Sequence, residues 1–292
     1  MFNLRHVRSL VAVVECGGFH EASRRLQCSQ PAVSQHVRKL EEAVEAVLVV
    51  RDRHRCRPTP EGEVFLPYAR SLLKVSERAR TVVKGRTLTI GASSNVGTYL
   101  LQPRVSAYRR SGGATVNLDL WIGQNPEVAN KLERHEIDVA IMEWWDGRSG
   151  FIARLWRQEP LVVIVPPSHP WAALSAITKE QLFEAPLIGG EPGTGTGRVL
   201  RAAFGDAAAD LRIGLQLGST EAVKHAVKAG LGVSLVLAGT VVDEIRAGSL
   251  RALTMDGTPL MKDLFVIRHV GQPSGLPAAR FEEHLLGEMP AG

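Results

Sequence analysis

The sequence has few cysteines and no long hydrophobic run. Three of its 292 residues are cysteine, namely Cys16, Cys28 and Cys56, and no two of them stand in a Cys-x-x-Cys spacing. An odd and unpatterned set argues against a disulfide framework or a zinc site and fits a reducing cytosol. The apolar run at residues 10–14 is too short to span a membrane, and Glu15 stands where a signal peptide would carry small residues. We therefore expect a cytoplasmic protein without a membrane partner.

The sequence also lacks the motifs of catalysis and nucleotide binding. Its nine histidines are scattered without metal-ligand spacing, and no Gly-x-Ser-x-Gly elbow or carboxylate pair is present. The glycine-rich run at residues 193–197 is not followed by the Lys-Ser/Thr of a phosphate-binding loop or by an acidic ribose partner. We expect no catalytic residue, no metal and no cofactor, with an enzyme built on residues 86–292 kept as an alternative.

Positive charge is concentrated at the N-terminal end. The net charge is +5, but residues 1–86 hold 16 Lys/Arg against 9 Asp/Glu, whereas the remainder holds 19 against 21. A basic N-terminal segment on a near-neutral body suggests that one end of the protein meets a polyanion. A basic surface that is merely solvated would give the same count.

Residues 17–44 predict two short helices joined by a tight connection. In the second helix Val33, Val37 and Leu40 repeat as a buried stripe, and Ser29 is a plausible N-cap. Polar side chains occupy another face of the same helix. The residues of this face predicted to contact DNA are Gln30, Pro31, Ser34 and Gln35 at base edges, and Arg38 at either a guanine or a phosphate. Such a division of faces is typical of a recognition helix in the DNA major groove.

The segment that follows predicts a two-stranded wing. A short apolar run at residues 48–50 leads into an arginine-rich turn and a return flanked by Pro58 and Pro60. Arg51, Arg53 and Arg55 suit phosphate contact, because the guanidinium fork matches phosphate geometry. A solvated turn is the alternative reading of these arginines.

A long helix begins after Thr59. Its apolar residues are spaced 3, 4, 3, 4 and 3 apart, and they are Phe65, Tyr68, Leu72, Val75, Ala79 and Val82. A mean spacing of 3.6 residues between apolar positions would indicate only that the helix packs on its own domain. The observed 3.5 spacing favours pairing with the same helix of a second chain.

From residue 86 onward short strands and helices alternate in two successive series. This pattern predicts a mainly parallel, doubly wound sheet in each of two successive α/β lobes. Residues 264–268 are expected to return as a strand to the first lobe. The predicted domains are residues 1–60, the linker helix 61–85, and an effector domain 86–292 with lobe one at about 86–162 plus 268–292 and lobe two at about 163–267.

Four loops rich in hydroxyl and amide groups follow the predicted strands of the two lobes. Ligands of doubly wound sheets bind at this edge, where helix N-termini suit a small anion. The candidate effector-binding residues are Ser93, Ser94, Asn95, Thr98, Asn125, Glu143, Thr194, Gly195, Thr196 and Thr220. Each of them could instead be only an N-cap or a turn residue, since the same residue types favour both.

Many motifs of the chain, in order, resemble those of LysR-type transcriptional regulators, and the resemblance covers essentially the whole sequence. The N-terminal matches are Phe19-x-x-Ala22-x-x-Leu26, Ser29-Gln30-Pro31-Ala32-Val33-Ser34, Leu40-Glu41, Leu48-x-x-Arg51 and Thr59-x-x-Gly62. The downstream matches are Ile90-Gly91, Asp138-Val139-Ala140, Glu191-Pro192-Gly193-Thr194-Gly195-Thr196 and Ala229-Gly230-Leu231-Gly232-Val233.

The resemblance implies a multidomain α/β protein. Its parts would be a winged helix-turn-helix, a linker helix that dimerises, and a two-lobed effector domain of the periplasmic-binding-protein type (type 2). The implied partners are double-stranded DNA with an inverted-repeat operator, a small-molecule effector, and further copies of the chain in a dimer or tetramer, with RNA polymerase as a candidate. We expect a transcriptional regulator controlled by a small anionic effector; the alternative is a solute-binding protein of a transport system.

Overall fold

The computed structural model describes residues 2–51, 55–84, 87–111, 116–190, 194–257 and 259–287, and of Arg51 and Val82 only the backbone. The chain divides into two compact units, residues 1–84 and 85–292. Within the described ranges no helix is long and apolar enough to span a membrane. The same ranges contain no group of three or more side chains that could hold a metal ion.

The first unit opens with three helices around a small apolar core. They are α1 (Leu4–Cys16), α2 (Phe19–Leu26) and α3 (Gln30–Val44). Gly17 ends α1 in the left-handed region, with φ +71°. The hydroxyl of Ser29 accepts a hydrogen bond from the amide of Ala32 at 3.3 Å, which confirms the predicted N-cap of α3.

A two-stranded wing and a long helix complete the first unit. The wing is an antiparallel pair of β1 (Val49–Arg51) and β2 (Cys56–Pro58), and it leads into α4 (Pro60–Val83). Thr59 caps α4 by accepting a hydrogen bond from the amide of Gly62 at 2.9 Å. Pro60 is the first residue of α4, where its missing N–H costs nothing. The winged helix-turn-helix predicted from the sequence is confirmed.

The second unit begins with a parallel arrangement around one central strand. Its first elements are β3 (Thr87–Ser93), a π-helical turn (Val96–Leu100), α5 (Gln102–Arg110), β4 (Asn117–Gly123), α6 (Asn125–Glu133) and β5 (Val139–Met142). Strand β3 pairs in parallel with β4 on one side and with β5 on the other. This is the strand–helix alternation expected for lobe one.

A long strand then carries the chain into the second group of elements. These are β6 (Phe151–Val165), β7 (Ala176–Ile177), α7 (Lys179–Glu184), β8 (Leu187–Gly189), α8 (Thr196–Phe204), β9 (Ile213–Gln216), α9 (Thr220–Lys228), β10 (Ser234–Leu237), α10 (Val242–Arg246) and β11 (Arg251–Met255). Short 3-10 turns lie at Pro170–Ala173, Gly205–Asp210 and Ala238–Thr240. Strands β8 and β9 pair in parallel.

The chain returns through β12 (Met261–His269) and ends in α11 (Pro277–Gly287). Strand β12 pairs with β5 at Phe265 to Ile267, which confirms the expected return to the first lobe. Residues of α11 were not predicted as a helix. Their apolar side chains Phe281 and Leu285 are buried, and the Phe281 ring meets the ring of Tyr108 edge-on at 5.1 Å.

The prediction of a mainly parallel sheet is wrong for the strands that connect the lobes. Strand β6 pairs antiparallel with β12 through its first half and antiparallel with β10 and β11 through its second. The first half of β6 is missing from the sequence-based prediction because polar residues interrupt it: Arg154 and Gln158 face solvent there. Neighbouring strands, which the local sequence cannot show, provide its backbone hydrogen bonds.

Candidate functional site

Helix α3 buries one face and exposes the other, as the spacing of its residues predicted. Val33, Val37 and Leu40 are buried in the core of the first unit together with side chains of α1. The side chains predicted to contact DNA lie on the remaining face. Of these Gln30, Pro31, Gln35 and Arg38 are exposed and Ser34 is half-buried. The polar face is therefore not covered by the unit to which it belongs.

A single carboxylate joins α3 to the wing. Oε1 of Glu41 accepts the amide of Leu48 at 2.8 Å and the amide of Val49 at 3.2 Å. Thr59 adds a second tie, because its hydroxyl donates to the carbonyl of Val47 at 2.6 Å. At Gly62 a Cβ would overlap the carbonyl oxygen of Leu48. These contacts give a physical reason for the paired motifs Leu40-Glu41 and Thr59-x-x-Gly62.

The predicted phosphate-binding arginines belong to the wing. Arg55 is exposed directly before β2, and the backbone of Arg51 pairs with Cys56 across the ladder. Arg53 lies outside the described residues. Arg38, on α3, forms an ion pair with Glu42 at 3.0 Å, in which both side chains are exposed. An exposed pair of this kind stabilises little, so Arg38 can exchange Glu42 for a DNA group at low cost.

The heptad series of α4 is largely open to solvent in the single chain. Tyr68 has 68% of its surface exposed, and Leu72, Val75 and Ala79 are exposed as well. Phe65 differs, because it packs against the core of the first unit and meets the ring of Phe2 edge-on at 5.8 Å. The side chain of Val82 lies outside the description. Leu66 and Ala69, outside the series, face the unit's own core.

The second unit contains a cavity of about 220 Å³. Five of the ten predicted effector-binding residues line it, namely Asn95, Thr194, Gly195, Thr196 and Thr220. Its apolar wall comes from β8, β10 and the buried sides of α8 and α9. The cavity also exposes two polar residues that the sequence did not single out, Gln216 and Lys262. No local pattern marks Lys262, since it is a lone lysine in an otherwise ordinary strand.

Lys262 is the cation of this cavity, and its ammonium group is fully engaged. It donates to Oε2 of Glu143 at 2.8 Å, to the carbonyl of Thr194 at 2.9 Å and to the hydroxyl of Thr196 at 3.0 Å. The side chains of Lys262 and Glu143 are 2% and 0% exposed. Oε1 of Glu143 has no hydrogen-bond partner among the described residues. The ion pair makes the polar end of the cavity electrically neutral overall.

The other five predicted effector residues do not line the cavity. The hydroxyl of Ser93 is buried, the hydroxyl of Ser94 donates to the carbonyl of Gly123 at 3.1 Å, and Thr98 is exposed. The remaining two, Asn125 and Glu143, are joined to each other: the side-chain oxygen of Asn125 accepts the amide of Glu143 at 3.2 Å. Asn125 therefore positions the carboxylate that holds Lys262.

Contacts on both sides of the cavity join residues distant in the sequence. The hydroxyl of Thr220 donates to Oδ1 of Asn95 at 2.6 Å, and the hydroxyl of Tyr99 donates to Glu221 at 2.7 Å. Burial, followed by the bond to Glu221, raises the pKa of Tyr99 to about 12. On the other side the guanidinium of Arg198 stacks on the ring of Trp144 at 4.1 Å. These contacts join the segment after β3 to the start of α9, and the segment after β5 to α8.

The N-terminus of α8 faces the cavity without a side-chain cap. Gly195, with φ +81°, is its N-cap, and no side chain accepts hydrogen bonds from the first turn. Gly195, Thr196 and Gly197 all line the cavity. Free amides and the positive end of the helix dipole at this place suit an anionic or strongly polar oxygen.

Comparisons with known proteins match both units of the chain to models of one protein family. Residues 4–63 match the model of the "Bacterial regulatory helix-turn-helix protein, lysR family", and residues 83–290 match the "LysR substrate binding domain". The chain belongs to the LysR family. A relative in Stutzerimonas stutzeri, the putative HTH-type transcriptional regulator protein PtxE, is 46% identical over 196 residues, which is 67% of this chain and 100% of that protein. CbbR of Sinorhizobium medicae is 30% identical over 291 residues, covering 97% of this chain and 92% of that one.

Solved structures show the same fold over the full length. Full-length CbnR, solved as a complex with its target DNA, aligns with a TM-score of 0.69 at 23% identity, covering 97% of this chain and 99% of that one. The regulatory domain of Synechocystis CcmR, solved in complex with 2-PG, aligns with a TM-score of 0.62 at 24% identity, covering 70% of this chain and 99% of that one.

Family membership establishes the general function. The chain is a DNA-binding transcriptional regulator with a two-lobed effector-binding domain, and its curated relatives are transcriptional regulators. This confirms the main hypothesis from the sequence over a solute-binding protein of transport.

Proposed function

We propose that this LysR-family regulator acts in the cytoplasm and reads an inverted-repeat operator with the exposed face of α3 in each of two subunits. The observation that carries this proposal is that the unit leaves the polar face of α3 uncovered while it buries the opposite face. Gln30 and Gln35 suit adenine, whose N6 and N7 a glutamine amide can bond bidentately, and the ring of Pro31 suits a thymine methyl. Ser34 stands between them on the same face.

Backbone contacts in this proposal come from the wing. Arg51, Arg53 and Arg55 hold the phosphates beside the groove and so set the position of α3 without selecting a sequence. The paired subunits meet through Tyr68, Leu72, Val75 and Ala79 of α4, joined by Phe65 and Val82 at the ends of the series. A twofold pair of such modules requires an operator with two inverted half-sites. Two pairs would form the tetramer implied by the resemblance, and residues 1–60 and 61–85 are the parts that act in DNA binding.

Selection from a random duplex library tests the DNA half of the proposal. We expect an inverted repeat to emerge for the wild-type protein. Gln30→Ala should then relax the preference at one position of each half-site, by about 1–3 kcal/mol of discrimination. Arg55→Ala should weaken selected and random duplexes equally. Equal losses on both duplexes for Gln30→Ala would exclude base reading by that residue.

The effector half of the proposal is a small anion bound in the cavity at the N-terminus of α8. The uncapped amides of α8, the hydroxyl of Thr196 and the side-chain amide of Asn95 supply hydrogen bonds there, and Thr220 orients Asn95. The ammonium of Lys262 lies at the same end, and an anion that draws it from Glu143 would loosen the tie to Thr194 and Thr196. Such a ligand alters the balance between two lobe arrangements only through its different affinity for them.

Thermal-shift titration with matched ligand pairs tests the charge requirement. Acetate and acetamide, and glycolate and glycolamide, differ in charge but hardly in size. The acid of a binding pair should raise the melting temperature and its amide should not, since only a ligand of the native state stabilises it. Thr196→Val should reduce the shift by the acid. Equal shifts by acid and amide would show that the cavity does not select an anion.

A further inference from the structure

A cluster of five basic residues lies where α1 meets α3. The rings of His6 and His36 stack with their centroids 5.0 Å apart and their planes 26° apart. Arg5, Arg8 and Lys39 beside them are exposed. Within the described part of the chain none of these five side chains forms an ion pair.

The acidic side chains on the surrounding helices are engaged elsewhere. Glu15 of α1 pairs with Arg25 of α2 at 2.8 Å and with Arg70 of α4 at 3.6 Å. On α2 and α3 the pairs Arg24–Glu21 and Arg38–Glu42 are formed within one helix. Glu15, Glu21 and Glu42 are therefore paired with other cations and do not neutralise the cluster.

A buried hydroxyl joins His36 to α1. The hydroxyl of Ser9 donates to the carbonyl of Arg5 at 3.0 Å, and Nδ1 of His36 lies 2.9 Å from the same oxygen. This contact binds α3 to α1.

The cluster and the wing flank the base-reading face of α3. Counted at about 100° per residue, His36 and Glu41 lie about 140° apart across the buried stripe. Glu41 holds the wing, whereas His36 contacts α1. Gln35 and Pro31 point between them on the open side. A helix lying in a groove thus has basic side chains toward both edges.

We propose that Arg5, Arg8 and Lys39, with the stacked pair His6 and His36, contact the DNA phosphate backbone on the side of the groove opposite the wing, and that His6 takes up a proton when they do. The proposal rests on the proposed function only in taking DNA as the polyanion. Phosphates supply negative charge to the cluster, and they position the module without reading sequence.

The proton uptake follows from the environment of His6 in the free protein. Burial, and then the charges of His36 and Lys39, lower the pKa of His6. A phosphate beside the cluster favours the charged form and so raises that pKa again. Binding therefore takes up protons, and by linkage the association constant must rise as the pH falls.

The salt dependence of binding tests the phosphate contacts. Binding of the full chain to a mixed-sequence 40-bp duplex, followed by fluorescence anisotropy over a series of salt concentrations, gives a slope that counts neutralised phosphates. Arg8→Ala and Lys39→Ala should each reduce this slope by about one unit. Arg109→Ala makes the same change of charge at an exposed site in the second unit and should leave the slope unchanged. An unchanged slope in both cluster variants would overturn the proposal.

The pH dependence tests the role of His6. The wild-type association constant should rise between pH 8 and pH 6, by up to about tenfold per pH unit for each proton taken up. His6→Gln should flatten this rise, and His20→Gln, at an exposed site on α2, should not. Circular dichroism melts of each variant show whether α1 and α3 remain folded. A rise of the same steepness in all three proteins would remove His6 from the proposal.

Comparing Arg55→Ala with the cluster variants separates the proposed wing contacts from the proposed cluster contacts. If Arg55→Ala reduces the salt slope while Arg8→Ala and Lys39→Ala do not, the wing binds phosphate and the cluster does not. If the wild-type chain binds no duplex even at low salt, the proposed DNA reading by α3 fails as well.

Discussion

The ammonium of Lys262 lies 2.8 Å from a carboxylate oxygen of Glu143, and neither side chain reaches solvent. Lys262 is the second residue of β12 and Glu143 follows β5, so the pair joins two strands separated by more than a hundred residues. The same ammonium reaches the loop before α8. One charged contact therefore links the lobe-one sheet to the wall of the cavity.

Breaking this buried pair should destabilise the second unit strongly. Lys262→Met leaves Glu143 charged and without its partner in a buried place, and we expect a loss of about 3–5 kcal/mol in the free energy of unfolding. The double variant Lys262→Met with Glu143→Leu should lose less free energy of unfolding than Lys262→Met alone. Urea unfolding of the full chain measures both. Lys228→Met, in a partly exposed pair with Glu244, is the control and should cost below about 1 kcal/mol. Equal losses in single and double variants would contradict this account.

Glu41 and Glu42 are adjacent carboxylates with different expected effects. Glu41→Ala removes the acceptor of two wing amides and should cost about 1.5–3 kcal/mol in the stability of the first unit. Glu42→Ala removes only the exposed partner of Arg38 and should cost little. Hydrogen exchange at the amides of Leu48 and Val49 provides the local measurement. If these amides stay equally protected in both variants, Glu41 does not hold the wing.

Two helical glycines should respond to alanine with opposite signs. At Gly62 a Cβ meets the carbonyl oxygen of Leu48, so Gly62→Ala should destabilise the first unit by about 1–3 kcal/mol. At Gly197, in α8, a Cβ meets nothing, and Gly197→Ala should stabilise by about 0.5–1 kcal/mol. Thermal unfolding of the two variants measures both changes in stability. A stabilised Gly62→Ala protein would show that residue 62 does not lie close to the carbonyl oxygen of Leu48.

A charge in the exposed series of α4 should prevent pairing of the subunits. Leu72→Glu places a carboxylate in the proposed seam and should weaken dimerisation at least about tenfold, because the charge would lose its hydration there. Lys74→Glu, exposed on the same helix but outside the series, is the matched control. Analytical ultracentrifugation measures the dissociation constant of each. An unchanged constant in Leu72→Glu would show that the subunits pair through another surface.

His269 should make the second unit less stable in acid. Burial, and secondly the charge of His135 stacked on it at 4.0 Å, lower the pKa of His269, although its bond to the carbonyl of Leu132 acts the other way. The unfolded chain then binds the proton more tightly than the folded one. Stability is full above the ordinary pKa of 6.5 and declines as the pH falls below it. His269→Gln should show a smaller decline between pH 7 and pH 5 than the wild type and the exposed-site control His225→Gln. An unchanged decline would place the acid sensitivity elsewhere.

Features of the first unit were predictable because they arise from short-range periodicity. The buried stripe of α3, the caps Ser29 and Thr59 and the start of α4 at Pro60 all depend on residues within one or two helical turns of each other. The stacked pair His6 and His36 could not be found in this way. It requires α1 to lie against α3, and nothing in either helix alone indicates that contact.

The lining of the cavity was only half predictable for a related reason. Thr196 and Thr220 could be named because loops after strands face the same edge of an α/β sheet. Loop composition cannot show which of these groups turn inward, and Ser93 and Thr98 do not line the cavity.

By itself the sequence determined the family, the order of the domains and the faces of the helices, since these depend on residue type and spacing along one segment. Only the tertiary structure decided that Lys262 is the cation of the cavity, that Glu143 neutralises it and that Glu41 holds the wing. Each of these depends on a hydrogen bond or an ion pair between separate elements. Such a bond forms only when packing brings two side chains, or a side chain and a backbone group, within about 3 Å of each other.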